Sequence, residues 1–198
     1  IAEVDTATGE KLRADGALVL DIREPDEVAQ GVIPGAVTIV RGTSGVAEPL
    51  ASLLLSRGVE AVVVDAVDPK AAARVIDLSG LADERSIVEA IHAQRAVFAT
   101  ARAIAQSTDS PRLFIAVGDP FFGSPNAEWT GGIAGLVRTM ALELPEVTSR
   151  YIAIAKGRVE ADRLAQAVAA EILEGGADLD IAIDSSGNRT APFFEDAP

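Results

Sequence analysis

Residues 112–155 read RLFIAVGDPFFGSPNAEWTGGIAGLVRTMALELPEVTSRYIAIA, and this stretch decides the fold. An apolar run of strand length, Leu113 to Val117, leads into a loop rich in glycine and proline. A helix is predicted next and ends at Pro145, because apolar residues recur at helical spacing at Ile133, Leu136, Val137, Met140, Ala141 and Leu144. A second apolar run, Tyr151 to Ala155, reads as a strand. Strand, loop, helix and strand form a βαβ unit, which implies a parallel sheet.

Composition sets limits on what the chain does. With 198 residues, 48% hydrophobic residues and a mean hydropathy of +0.26, the chain is long and apolar enough for one packed domain, and we expect it to be cut from a longer protein. A net charge of −13 argues against nucleic-acid and membrane partners, which require a basic face. There is no cysteine and one histidine, so we expect no disulfide, no thiolate catalysis and no metal site. No signal peptide or long apolar run is visible, and we expect a cytoplasmic protein.

Residues 36–65, AVTIVRGTSGVAEPLASLLLSRGVEAVVVD, predict a second βαβ unit with Gly58 ending its helix. The layout is that of a dinucleotide-binding fingerprint, a glycine turn opening a helix and an acid after the next strand. Gly42, Gly45 and Asp65 are therefore the candidate cofactor-binding residues. The turn is degenerate, because Ala47 replaces the last glycine and Glu48 puts a negative charge near the phosphate position.

Residues 1–35 are interpreted as an N-terminal extension or linker, with a possible strand at Ala17–Asp21. Residues 21–37, DIREPDEVAQGVIPGAV, resemble the opening of rhodanese-like domains. Sulfur transfer in that family uses a loop cysteine, which this chain lacks. The other interpretation is a charged turn and a proline-rich linker that feeds the first core strand.

The remaining segments complete the alternation of strands and helices. A short strand, Arg74–Leu78, follows Asp65 after few residues, so this half of the sheet is expected to be truncated. Residues 83–107 predict a long helix with Asp83 as N-cap and an apolar side made of Ile87, Ala90, Ile91, Val97, Phe98, Ala101, Ile104 and Ala105. His92 is interpreted as an ordinary helix-surface or hydrogen-bonded histidine. A helix over about 160–173, a final strand Ile181–Asp184 and a Gly187-Asn188 turn are expected near the end.

Three texts carry a resemblance to a known family: GTSGVAEPLASLLLSRG, SPRLFIAVGD and GIAGLVRTMALELPEV. Residues 36–198 are interpreted as one truncated Rossmann-like subdomain. Within it, residues 36–194 resemble a short-chain dehydrogenase/reductase, and more narrowly the structural subdomain of ketoreductase domains in modular polyketide and polyunsaturated-fatty-acid synthases. The resemblance implies an α/β, truncated Rossmann-like three-layer fold with a mainly parallel sheet. It also implies a partner, the catalytic ketoreductase subdomain of the same synthase, which reduces β-ketoacyl groups on an acyl carrier protein with NADPH.

The reaction of this family needs a tyrosine proton donor, a lysine four residues later on the same helix face, and an upstream serine. Aligning the IAGLVRTMALEL helix with active relatives places these positions at Asn126, Thr130 and near Gly118, none of which keeps the required residue type. The single tyrosine, Tyr151, is followed four residues later by Ala155. We therefore expect no catalytic residue and no cofactor in this chain, with NADPH bound by the partner half.

Two alternatives remain open: an autonomous nucleotide or small-molecule module that uses the Gly42–Ala47 turn and Asp65, and a divergent active enzyme. Two structural expectations also follow. A truncated sheet should leave an apolar patch beside residues 61–78, covered by another domain, a second copy or residues 1–35. Trp129 and Phe121-Phe122 should pack at the carboxyl end of the Leu113 strand.

Overall fold

The computed structural model describes residues 37–40, 42, 44–81, 86–108, 112–119, 127–154, 160–174 and 178–191, with the side chains of residues 71 and 127–130 left out. The expected strand at Ala17–Asp21, the boundary of the N-terminal extension and nearly all of the rhodanese-like stretch lie outside this part of the chain. The same holds for Phe121, Phe122 and the side chain of Trp129.

Strands and helices alternate along the described residues. Their order is β1 (Val37–Val40), α1 (Ala47–Ser56), β2 (Ala61–Val64), a 3₁₀ turn (Pro69–Ala71), β3 (Arg74–Gly80), α2 (Ile87–Gln106), β4 (Arg112–Gly118), α3 (Ala127–Glu143), β5 (Val147–Ile154), α4 (Ala161–Glu174), β6 (Asp180–Ile183) and β7 (Arg189–Thr190).

The strands form one sheet in the order β2-β1-β3-β4-β5-β6-β7. Neighbouring strands are parallel, except that β7 pairs antiparallel with β6. One face of the sheet packs against α1 and α4 through side chains such as Leu50 and Val168, and the other packs against α2 and α3 through Ile104 and Val137. The predicted three-layer, mainly parallel Rossmann-like fold is confirmed.

The passage from β2 to β3 is short. Residues 65–73 hold only the 3₁₀ turn, whose N-cap Asp68 accepts a hydrogen bond from the Lys70 amide at 2.9 Å. β3 then pairs with β1 on the side opposite to β2, so β2 stays at the edge of the sheet. This is the predicted truncation, since a full dehydrogenase places two helices and a strand in this passage.

Helix α2 differs from its prediction at its start. It begins at Ile87, and Ser86 rather than Asp83 is the N-cap; Asp83 itself lies outside the described residues. The Ser86 hydroxyl accepts from the Glu89 amide at 3.3 Å, and the Glu89 carboxylate accepts from the Ser86 amide at 2.6 Å. This capping box satisfies two amides at once and fixes the helix start.

The buried side of α2 also differs from its prediction. Ala90, Val97, Ala101 and Ile104 are buried as expected, and Thr100 and Ala103 join them. The other residues assigned to the apolar side are exposed, namely Ile87, Ile91, Phe98 and Ala105. Apolar residues occur on more than one side of this helix, so periodicity alone did not identify the side that faces the sheet.

The large exposed apolar residues in the described ranges lie on α2 and α3: Ile87, Val88, Ile91, Phe98 and Leu142. None of them lies in residues 61–78, where an exposed apolar patch was expected. The apolar side chains there, among them Val63, Val64 and Val67, are half-buried against the two cores.

Two strand boundaries were predicted too narrowly. β5 begins at Val147, four residues before the predicted start at Tyr151, because residues 147–150 extend its pairing with β4. β7 was not predicted, and only the Gly187-Asn188 turn that precedes it was. Among the described residues, no helix is long and apolar enough to cross a membrane.

Candidate functional site

The crossover connections change direction along the sheet between β1 and β3. The crossover after β1 runs through α1 on one face, and the crossover after β3 runs through α2 on the other face. In open parallel sheets, ligands bind outside the carboxyl ends of the strands at such a switch point. The Gly42–Ala47 turn follows β1 at this edge, and Asp65 follows β2 at the same edge and is exposed. The structure therefore brings the three candidate cofactor-binding residues to one edge of the sheet.

The two glycines of this turn have different surroundings. Gly42 has φ +62°, and a Cβ there would lie 2.6 Å from the carbonyl oxygen of Leu78. Glycine is thus required at position 42 so that the turn can pack against β3. Gly45 has φ +70°, and a Cβ there would meet nothing within 4 Å.

The start of α1 fits a phosphate poorly. Val46 and Ala47 are 0% exposed and belong to the apolar core. Glu48 places a carboxylate in the first turn, where the helix dipole otherwise favours an anionic ligand. Pro49 has no amide proton to donate. Dinucleotide folds bind pyrophosphate with free amides at this position, so these residues do not fit the pyrophosphate of NADP. That the chain binds no cofactor nevertheless stays a prediction.

The serine position that the family resemblance predicts falls near Gly118, and another side chain occupies the space there. Gly118 ends β4, and a Cβ there would lie 2.6 Å from the Tyr151 hydroxyl oxygen and 3.3 Å from its ring. Tyr151 lies in β5 and is 3% exposed. The tyrosine is therefore in a strand, as predicted, and its phenol fills the space into which a serine side chain would extend.

The tyrosine and lysine positions of the family are less completely described. Asn126 and Ala155 lie outside the described residues. Thr130 lies in α3, although its side chain is not described. The absence of catalytic residues stays a prediction at these positions.

Asp77 is a buried acid that sequence analysis did not single out. It is 0% exposed in β3, and its Oδ1 accepts a hydrogen bond from the Ser79 amide at 2.8 Å. Burial raises the pKa of Asp77, and hydrogen bonds from Ser79 and Thr100 oppose that rise. The signal in the sequence is an aspartate between two large aliphatic residues in a short strand, VIDLSG.

The motif GLVRTMALELP has a structural role in this fold. Arg138 of α3 binds Asp180 of β6 with both nitrogens, Nε at 2.8 Å and a terminal nitrogen at 3.1 Å. The Thr139 hydroxyl donates to the Gly135 carbonyl at 3.0 Å. The Arg138 contact joins α3 to β6, whereas the Thr139 contact lies within α3.

A buried ion network ties the end of the chain to α4. Glu171 is 4% exposed and accepts hydrogen bonds from Arg150 of β5 at 3.2 Å and from Arg189 of β7 at 2.7 Å. Arg189 also binds Asp178 at 2.7 Å. Sequence analysis missed this network, since its members are distant in sequence and no spacing links them.

His92 is exposed on α2, in agreement with its interpretation as a surface histidine. In the described part of the chain, no group of three or more His, Cys, Asp or Glu side chains is placed to hold a metal ion.

Comparison with solved structures identifies the fold type. The chain superposes on an alcohol dehydrogenase from the archaeon Thermococcus sibiricus, solved in complex with 5-hydroxy-NADP, with a TM-score of 0.51. The match covers 79% of this chain and 99% of that chain at 16% sequence identity. No protein-family model and no curated protein matches the chain. The chain thus has a Rossmann-like fold, and a likeness at this identity shows the fold alone.

Proposed function

We propose that this chain is a non-catalytic structural subdomain of a ketoreductase in a polyketide or polyunsaturated-fatty-acid synthase. It stabilises a catalytic half that reduces β-ketoacyl groups on an acyl carrier protein with NADPH. The acyl carrier protein meets the catalytic half, so its contact with this chain is indirect. Such a synthase works in the cytoplasm.

The observation that carries the proposal is the contact between Gly118 and Tyr151. A Cβ at position 118 would lie 2.6 Å from the Tyr151 hydroxyl, closer than carbon and oxygen approach without a bond. Ketoreduction in the family requires a serine near this position to hold the substrate carbonyl. In this chain the buried phenol of Tyr151 occupies that space and packs as part of the core.

Two further features favour a structural role over a catalytic role. The start of α1 fits pyrophosphate poorly because of Glu48 and Pro49. The motif that carries the family resemblance is engaged in packing, through the paired hydrogen bonds of Arg138 with Asp180. The fold is thus retained while the groups that bind and reduce a substrate are not.

The direct test is an activity measurement on the isolated chain with a β-ketoacyl thioester and NADPH. We expect no oxidation of NADPH above the rate without protein, because the sequence has Asn126, Thr130 and Gly118 where the resemblance predicts tyrosine, lysine and serine. Turnover that disappears in a Tyr151→Phe or Thr130→Ala variant would contradict the proposal. Co-expression with a catalytic ketoreductase half should then raise the soluble yield and the activity of that half.

A second candidate function is an autonomous nucleotide or small-molecule module, and one observation favours it. The Ser44 hydroxyl is buried without a hydrogen-bond partner among the described residues, in the same turn as the open space at Gly45. NADPH titration followed by Trp129 fluorescence separates the two functions. We expect no saturable change; a saturable change that a Gly45→Val variant abolishes would favour the binding module.

A further inference from the structure

A cavity of about 510 Å³ lies between α4 and the turn that joins β6 to β7, and its volume is within the range of small-molecule pockets. The last residues of β5 and β6, Ile154 and Ile183, line it. In the sheet, β3 and β4 separate these two strands from β1 and the glycine turn that follows it. This α4–hairpin cavity is therefore distinct from the candidate dinucleotide site.

The buried part of the cavity lining is apolar. Ile154 and Ile183 are paired across β5 and β6, and both are buried. Leu164 of α4 is buried in the same core, and Ala167 of α4 is half-buried against it. A ligand in this cavity therefore gains free energy by covering hydrocarbon with an aliphatic body of its own.

The exposed part of the lining is polar and contains one arginine. Arg163 and Gln166 lie on the same side of α4 as Ala167, because the three residues have helical spacing. Arg163 is exposed and forms no ion pair with another described residue. Ser185 and Ser186 add two hydroxyl-bearing residues from the turn. A guanidinium binds a carboxylate through two parallel hydrogen bonds, so Arg163 suits a ligand with such a group.

The other charged residue of the lining, Asp184, is engaged within the turn. Its Oδ2 accepts from the Asn188 side-chain amide at 2.8 Å, and its Oδ1 accepts from the Ser186 and Asn188 backbone amides at 2.8 and 2.9 Å. The Asn188 side chain and the turn amides hold the pKa of Asp184 below its ordinary value, so the carboxylate stays ionised. Asp184 is thus a fixed, negatively charged part of the wall.

We propose that the α4–hairpin cavity binds a small aliphatic monocarboxylate, with its carboxylate on Arg163 and its hydrocarbon against Ile154, Leu164 and Ile183. A cationic ligand fits less well, because Arg163 repels it and the Asp184 carboxylate already accepts three hydrogen bonds. A phosphate dianion also fits less well, because one guanidinium faces two negative charges beside Asp184. The proposal concerns this chain alone and does not depend on the proposed function.

The test is an NMR titration of the full chain with hexanoate, and with 1-hexanol, hexylamine and inorganic phosphate as comparisons. We expect hexanoate to shift the amides of residues 185–187 along one saturating curve. Arg163→Gln should weaken hexanoate binding at least about tenfold, because hydrogen bonds to a charged group are lost. Ala167→Phe should abolish the binding, since the ring fills the cavity. Arg95→Gln is the matched control, because Arg95 is also an exposed helical arginine but does not line this cavity.

Each of four results would overturn the proposal. Binding of 1-hexanol or hexylamine as tight as that of hexanoate would show that the carboxylate is not recognised. Phosphate binding as tight as that of hexanoate would show that the aliphatic body is not recognised. No saturable shift with hexanoate, or binding that survives Ala167→Phe, would exclude the cavity. Equal weakening by Arg95→Gln and Arg163→Gln would show that Arg163 has no specific role. Circular dichroism identifies any loss of fold, and Arg163→Gln, a change of an exposed residue, decides the matter if Ala167→Phe does not fold.

Discussion

Gly118 and Tyr151 share one space at the carboxyl end of the sheet. The register of β4 and β5 pairs Ala116 with Tyr151, and the phenol then extends along the sheet to Gly118. A side chain at position 118 therefore requires the tyrosine to move out of a packed core.

Gly118→Ala is expected to lower the free energy of unfolding by about 1–3 kcal/mol, because the new methyl group overpacks the core against the Tyr151 hydroxyl. Urea unfolding measures the change. Tyr151→Phe in the same chain should restore part of the loss. Gly131→Ala, an exposed α3 position with open space around it, is the control and should stabilise by up to about 1 kcal/mol. Equal effects at the two positions would contradict this account.

The buried carboxyl of Asp77 makes stability depend on pH. Burial raises the pKa of Asp77 above its ordinary value of 3.8, so the folded chain binds this proton more tightly than the unfolded chain. The contribution is therefore fully present below about pH 3.8 and is lost as the pH rises through the folded-state pKa.

Asp77→Asn should remove this loss, because the amide has a similar shape and does not ionise. We expect the stability of the variant to rise relative to the wild type as the pH increases from 4 to 8, about 1.4 kcal/mol for each unit of raised pKa. Urea unfolding across that pH range measures the difference. Asp65→Asn, which changes an exposed aspartate, is the control. A constant difference between wild type and Asp77→Asn at all pH values would refute the assignment.

At the scale of elements, β7 is joined to α4 by the side chain of Arg189. Arg189 binds Glu171 at 2.7 Å and Asp178 at 2.7 Å, and so attaches a two-residue strand to α4. Glu171 is 4% exposed, and an uncompensated charge at such a site is costly.

Arg189→Ala should cost about 1–3 kcal/mol in thermal or urea unfolding, since Glu171 keeps Arg150 but loses two hydrogen bonds. The control is Arg57→Ala, which breaks a pair with Glu174 that is 3.9 Å long and exposed on both sides. That pair should contribute at most about 1 kcal/mol. A smaller cost for Arg189→Ala than for Arg57→Ala would show that the network does not hold the hairpin.

The sequence predicted the elements whose pattern is local. Alternating apolar runs and helical periods indicated the βαβ units, and Gly58 and Pro145 marked helix ends that the structure confirms. The errors in prediction arise where contacts between residues distant in sequence determine the structure. β7 depends on Arg189 reaching Glu171, and the exposed side of α2 depends on which of its apolar sides meets the sheet.

In the candidate site, too, local features were predicted and features that depend on distant contacts were not. The edge that carries Gly42, Gly45 and Asp65 followed from the order of strands and turns. The contact of Gly118 with Tyr151 depends on the register between two strands joined through α3, and no spacing in the sequence contains that register.

For the whole molecule, the truncated sheet predicts an uneven distribution of stability. β4 lies between β3 and β5 with helices on both faces, whereas β2 has one neighbour and β7 pairs over two residues. Local opening is least costly where few contacts must break.

Native-state hydrogen exchange should therefore show the slowest amides in β4 and in the adjoining parts of β3 and β5. Amides of β2 should exchange faster, and those of β7 fastest of the strands. Urea added below the unfolding transition should first accelerate β2 and β7. Exchange of all strands at one common rate would instead show that the sheet opens only as a unit.

The buried carboxylate of Glu171 has a consequence for synthesis on the ribosome. The chain emerges from its N-terminal end, so β5 and α4 appear before the segment that carries Arg189. Until that segment emerges, Glu171 has Arg150 but lacks the partner in β7. Docking of α4 is therefore completed only after residue 189 has left the ribosome, and a nascent chain released before that point would carry an undercompensated acid.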